Sequence, residues 1–565
     1  MAFQVSPGVN VSEIDTTTVV PAVSTSTGAI AGSFQWGPVD VLTQVSSEND
    51  LVRVYGKPDA NTFVPFFTAA SFLAYSNSLF VSRADNASLN TAFALNVASG
   101  SYTANVKVKN DNDYFNNNYT LGNTNIAFVA RNPGALGNAL KVAIIANANS
   151  SVFSSAAYQD YFDAPPGTST YVSTNYLSTA NDEMHIAVID ATGAISGTAN
   201  TVLERFANVS KAPNAKDASG TSIYYRDVLY YNSKYVLAFG QNNETWGTTA
   251  NASYQYTGEN LTMSFIRGTD GTATDGNVIT AYDQFTSTDN VDISLLMSAG
   301  HSSTVAANTI TLAGGRKDCI AFISPALANV QASDPTTAIV NYRKNALANV
   351  SNSYAVMDSN WKYMYDKYND LYRWVPCNGD VAGLCAQTDR DRDPWFSPAG
   401  FNRGNLKNVV KLAFNPAQAQ RDTLYKNGIN PIVSFAGEGT VLYGDKTLLA
   451  KPSAFDRINV RRLFIVLEKS IARAAKSSLF EFNDEFTRAQ FVNLVEPFLR
   501  LVQGRRGIYD FRVVCDDTNN TSEVIDRNEF IGDIYVKPAK SINFIQLNFV
   551  AVRTGVSFDE IVGRF

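Results

Sequence analysis

Three features of the sequence predict a multidomain, mixed α/β fold. At about 150 residues per domain, a chain of 565 residues makes roughly three or four domains. Charge is unevenly spread: residues 1–200 hold 7 Lys/Arg against 14 Asp/Glu, residues 201–450 hold 21 against 22, and residues 451–565 hold 17 against 15. Helical periodicity is concentrated in the middle and the last third, whereas alternating runs and Asn/Gly turns dominate the start.

The composition narrows the functional classes. With 45% hydrophobic and 12% aromatic residues the chain is globular, and a net charge of -6 gives none of the basic field that attracts nucleic acid. Four cysteines in such a length make no disulfide framework and suit assembly in a reducing compartment. The opening Met1 to Gly8 lacks the basic and apolar regions of a signal peptide, and no apolar run nears the ~20 residues of a membrane span. A soluble chain with no direct nucleic-acid partner and no stable membrane insertion is expected.

Taken in order, residues 1–200 are rich in Ser, Thr, Asn, Val and aromatics, a mixture that favours strands and turns. Between Ser99 and Gly197, alternating runs such as Ala104 to Lys109 and Met184 to Ile189 are separated by Asn-rich and Pro-Pro-Gly stretches, which reads as an inserted β domain. Further on, Val460, Leu463, Phe464, Leu467, Ile471, Ala474 and Leu479 recur at helical steps. Arg457, Arg461, Arg462, Lys469, Arg473 and Lys476 fill most of the other turns, so an amphipathic helix is expected. A second helix is expected from a cap at Asn483 to Gly504, kinked by Pro497, with Arg488, Arg500, Arg505 and Arg506 exposed. Residues 508–515, 531–537 and 542–552 then read as strands.

Both termini carry strand patterns without an evident local partner: Val9 and Val11 alternate with Asn10 and Ser12, and Ile545, Leu547, Phe549 and Ala551 share one face. An unpaired strand either joins its own sheet or adds to a neighbour's, and the pattern alone favours the first.

No catalytic constellation emerges. The only histidines are His185, in an apolar run that suggests a partly buried strand position, and His301, which reads as a solvated loop residue without a nucleophile elbow. Cys377 and Cys385 supply two thiols but no four-ligand zinc set, so no metal is expected. Asp389, Asp391 and Asp393 are offset by Arg390 and Arg392, as in a solvated, self-paired loop. The glycine-rich stretches at 268–271 and 314–318 match neither phosphate-loop pattern. Structural work is the reading that remains, with a degenerate or unrecognised hydrolase and a β-rich adhesin as alternatives.

Particular stretches then resemble a known family. Ser6-Pro7-Gly8-Val9-Asn10-Val11-Ser12-Glu13-Ile14-Asp15, Gly37-Pro38-Val39 and residues 51–56 resemble the start of contractile tail sheath proteins of bacteriophages. Pro133-Gly134-Ala135-Leu136-Gly137-Asn138-Ala139-Leu140 is similar to that family's Pro-Gly-x-x-Gly-Asn-x-Leu segment. Residues 202–206, 224–228, 316–319 with Ser324-Pro325, 393–404 and most of 483–552 resemble the large T-even-type sheaths.

The resemblance implies a mixed α/β multidomain protein: a strand arm over 1–24, a middle α/β domain over 25–95 plus 201–400, an inserted β-rich outer domain over 96–200, and a C-terminal core with its own strand arm over 401–565. It implies a subtilisin-like topology without a catalytic triad for the middle domain. The function it implies is a structural, non-enzymatic subunit that polymerises as hexameric rings around an inner tube and contracts irreversibly to drive the tube through the host envelope. The partners would be other copies, the tube, the baseplate and the tail terminator. The protein would reside in the virion, assembled in the bacterial cytoplasm, with no cofactor. A related phage-tail-like injection system is the nearest alternative. Val9, Val11, Ile14, Ile545, Leu547, Phe549 and Ala551 would lie in arms that complete a sheet in adjacent subunits, reversing the preference for local pairing. Arg488, Arg500, Arg505 and Arg506 are the candidates to face the tube.

Overall fold

The computed structural model describes residues 24–95, 105–116, 126–175, 181–239 and 260–543. The arm residues Val9, Val11, Ile14, Ile545, Leu547, Phe549 and Ala551 lie outside them.

A seven-stranded sheet runs in the order Ile429–Asn430, Ala355–Asp358, Ile320–Ile323, Leu295–Met297, Gly28–Gly32, Leu79–Arg83, Leu42–Val45. Every neighbouring pair is parallel except the last. Its strands are short apolar runs because both faces are covered. Ile30, Leu295, Met297, Ile320 and Phe322 point into one core, while Ala29, Ala31, Leu296, Ala321 and Ile323 point into the other. The first core is covered by helices α1 (Phe63–Leu73) and α2 (Asn378–Asp391), with Leu51 and Tyr55 of helix Glu48–Tyr55 and Ile458 and Ile465 further along the chain; the second by helices Asp275–Asp283, Ser303–Arg316, Pro335–Asn341 and Gln418–Lys426. Close approach explains Gly383 in α2: a Cβ there would collide with the ring of Tyr75, just past α1.

A second, wholly antiparallel sheet has the order Thr201–Ser210, Glu183–Asp190, Leu140–Ile145, Asn260–Ile266, Phe93–Leu95, Ile126–Ala130, Val236–Ala238. The expected boundary at 200 falls inside this sheet: residues 201–210 pair with 183–190, and Asn260–Ile266 returns to pair with Leu140–Ile145. The Pro133 to Leu140 segment is the joint between the two sheets. Arg83, buried at the end of its strand, donates to the carbonyls of Phe34 (2.9 Å), Gly37 (2.8 Å) and Pro133 (2.7 Å). Asn138 and Gly268 exchange two 2.8 Å bonds, and Asp270 accepts from the Ala135 amide at 2.9 Å. The glycine-rich 268–271 stretch is therefore half of this joint.

The C-terminal unit packs two helices, α3 (Ile458–Ala475) and α4 (Glu485–Gly504), with a hairpin of Ile508–Val514 and Asp533–Pro538. Leu463, Leu467, Ile471, Phe491, Val495, Leu499, Val502, Ile508 and Trp395 form its core. Two expectations about α3 are corrected. Its basic residues do not all face solvent: Arg461 and Arg462 are buried, and Lys469 donates to Asp292 (2.8 Å) and the Ile293 carbonyl (2.8 Å). Leu479 lies beyond the helix and is 63% exposed. Past the expected boundary at 401, Ile429–Asn430 still forms the edge of the parallel sheet.

Candidate assembly surface

α4 begins at Asp484, whose carboxylate accepts from the Thr487 amide at 2.8 Å, so Asp484 rather than Asn483 is the cap. The Asn483 side chain instead ties Asn520 and the Glu529 carbonyl to the helix start. Pro497 is tolerated inside the helix. The helix ends in a Schellman arrangement, with the Arg506 amide on the Gln503 carbonyl (2.9 Å) and the Gly507 amide on the Val502 carbonyl (2.9 Å). Arg506 takes the left-handed conformation (φ 67°) where glycine is the usual residue, and Gly507 follows because a Cβ there would lie 2.7 Å from Val502 Cγ1.

The hairpin lays Phe511, Val513, Ile534 and Val536 on the helices. It is a sheet of two strands, and among the described residues neither outer edge pairs with another strand. Near α2 the Thr25 hydroxyl donates to Asp389 at 2.6 Å, and the Asn543 side-chain amide donates to the Tyr425 hydroxyl at 2.7 Å.

The four arginines expected to be exposed divide. Arg488 is only 7% exposed and donates to Asp517 (2.6 Å) and Asn483 (3.0 Å), because the 516–520 turn packs over the first turn of α4. Arg500 is exposed beside Glu496 (3.1 Å). Arg505 is exposed and pairs with Asp393 at 3.1 Å, and Arg506 is exposed beside it. Arg505 and Arg506 meet the 391–403 loop across a groove, whereas Arg488 and Arg500 stand apart from it.

One feature was missed from sequence. Phe480, Phe482 and Phe486 are 105%, 84% and 76% exposed, next to Leu479. Large apolar side chains exposed close together in sequence are a candidate interaction surface. Phe480 and Phe482 in the connector between two amphipathic helices, with Phe486 in the first turn of α4, were the available signal.

The other candidate chemistry is structural. His185 lies buried in its strand, stacked on Phe162 (4.5 Å); its Nε2 donates to the Ala164 carbonyl and its Nδ1 accepts from the Asn208 amide, and burial lowers its pKa. His301 is not a free loop residue: its Nε2 bonds the Ala31 carbonyl at 3.0 Å, and burial lowers its pKa. Cys377 and Cys385 are buried, and burial pushes the Cys385 thiol up to about 12. Asp389 belongs to the last turns of α2, not to a loop, and pairs with Arg462. Among the described residues no group of three or more His, Cys, Asp or Glu side chains is gathered as for a metal ion, and no helix is long and apolar enough to cross a membrane.

At the ends of the parallel strands, Ser324, Asp358 and Asn378 form a closed polar cluster. The Ser324 hydroxyl donates to Asp358 at 2.6 Å and accepts from Asn378 at 3.0 Å, and all three are 2% exposed or less. Beside it, Lys362 and Asp380 pair at 2.8 Å with 1% and 0% side-chain exposure.

Comparison with known proteins matches residues 271–448 to the phage tail sheath protein central domain and residues 450–551 to the phage tail sheath C-terminal domain. The tail sheath protein of Vibrio phage KVP40 is 36% identical, with 99% of each chain covered. That of Enterobacteria phage T4 is 35% identical over 99% of each. A sheath tail protein from Listeria innocua shares the fold at a TM-score of 0.54 and 13% identity, covering 92% of this chain and 96% of that one.

Proposed function

This chain belongs to the contractile tail sheath family of T-even-type myovirus phages, and from that premise we propose how its parts do the work of a sheath. It is a structural subunit, not an enzyme, that polymerises around the tail tube and contracts during infection. The observation that carries this reading is similarity along the whole chain, at 36% and 35% identity, to proteins named tail sheath. Repeated heterologous contacts that do not close on themselves give such a lattice. Copies of the chain, the tube and the baseplate are its partners, and the virion tail is its location.

The arms are the joints of the lattice. Residues 1–15 and those after Asn543 add as strands to the hairpin of a neighbouring subunit, whose outer edges are unpaired among the described residues. The Leu479 to Phe486 aromatics supply apolar contact area, and the exposed stretch of α4 around Arg500 faces the tube. The middle domain, residues 25–92 plus 267–448, has a subtilisin-like topology without a triad. Parallel strands covered by helices on both faces support that, as does His301, the histidine of this domain, which hydrogen-bonds the Ala31 carbonyl. Residues 93–266 form the outer insertion, and 450–565 the core with its arm.

Negative-stain imaging of the concentrated protein tests the assignment. Hollow cylinders or contracted-sheath-like polymers are expected; a strictly monomeric species with robust ester or peptide hydrolysis would reverse it.

A further inference from the structure

The groove at the end of α4 gathers more positive charge than the fold neutralises. Arg392, Arg403, Arg505 and Arg506 line a cavity of ≈ 560 Å³ with Asp391, Asp393 and Phe396. Both carboxylates are engaged, Asp393 by Arg505 and Asp391 by Arg390, each at 3.1 Å. Arg403 donates to the Ser397 carbonyl at 2.9 Å and lies over the Phe396 ring. Among the described residues Arg392, Arg403 and Arg506 form no ion pair. Burial and the neighbouring Arg392 charge both hold the Arg403 guanidinium below its usual pKa, so the like charges are unrelieved. Arg506 also stands at the helix-end position where glycine is least strained, a local cost without a visible local return.

We propose that this groove binds carboxylates, those of Glu13 and Asp15 from the N-terminal segment of a neighbouring copy. The inference rests on the arm reading above and adds the arm's anchor. Charge complementarity favours this occupant: residues 1–24 contain Glu13 and Asp15 and not one Lys or Arg. In an extended segment, positions two apart share a face at about 6–7 Å, a spacing suited to two guanidinium partners across a groove. The groove is also continuous with the proposed arm site, because the hairpin begins at Ile508, two residues past Arg506.

Charge-swap variants of the full chain test it, read by sedimentation and negative stain across a concentration series. Glu13→Lys with Asp15→Lys, or Arg392→Glu with Arg506→Glu, raises the critical concentration for polymerisation at least about tenfold, and all four substitutions together restore assembly. Arg506→Gly separates stability from binding: it relieves the left-handed strain and raises the melting temperature while weakening assembly. If both charge-reversed variants polymerise like the parent while a chain lacking residues 1–15 does not, the groove is overturned and the arm reading stands. If that truncation also polymerises, the arm reading falls and takes this occupant with it. Mixing an Asp15→Cys chain with an Arg506→Cys chain gives a disulfide dimer in oxidant, the four native cysteines being buried. A bridge that forms only within the doubly substituted chain overturns the neighbour as its source.

Discussion

The Arg462 guanidinium on α3 meets the Asp389 carboxylate on α2 at 2.5 Å, with side-chain exposures of 4% and 7%. The same arginine donates to the Cys385 carbonyl and to the carbonyl of Thr25, while the Thr25 hydroxyl donates to Asp389. One buried pair therefore joins α2, α3 and the chain at Thr25. Removing either partner leaves an uncompensated buried charge, so Arg462→Leu or Asp389→Leu should each cost about 3–5 kcal/mol, whereas the double Leu variant recovers much of the loss. Urea unfolding of the three variants checks this; additive losses would show that the pair is not coupled.

Stability should fall as pH rises from about 4 to about 7, through Asp358. Burial first, and the nearby Asp380 charge, push its carboxyl from 3.8 to about 7, against the Ser324 and Asn360 donors that oppose the shift. The folded state thus holds the proton more tightly than the unfolded chain, and the contribution is present below pH 4 and lost through pH 7. Its size is on the order of a few kcal/mol. Asp358→Asn should flatten the melting temperature over that window, and an unchanged slope would assign the titration to another group.

The α1–α2 contact depends on absent side chains. Gly383→Ala places a methyl against the Tyr75 ring and should destabilise by about 1–3 kcal/mol, although alanine is the better helix former. Calorimetry of this variant beside Gly315→Ala, where a Cβ meets open space, separates collision from propensity.

The arms should be dispensable for folding and required for assembly. A chain lacking residues 1–15, or everything after Asn543, keeps the circular dichroism of the parent and sediments as a monomer. An unfolded product would mean that these strands complete the subunit's own sheet.

Much of the C-terminal core was legible in sequence because its signals are local. The α3 stripe, the stop of α4 at Gly504 and the strands near 508 and 533 follow from side-chain periodicity and helix-end chemistry over a few residues. With only two histidines in the chain, the sequence also offered few candidates for a nucleophile–histidine–acid set.

Only the tertiary structure decided which strand meets which, and where charge is buried. A period of two says that Asn260–Ile266 is a strand; it does not say that its partner is Leu140–Ile145, more than a hundred residues earlier. Charge misleads similarly. Arg461, Arg462 and Arg488 look like solvated helix-face residues, yet Tyr354, Asp389 and Asp517, all distant in sequence, bind them in the fold. Desolvating a guanidinium is tolerable only where a partner waits, and the partner is a property of three-dimensional packing, not of the residues beside it in the chain.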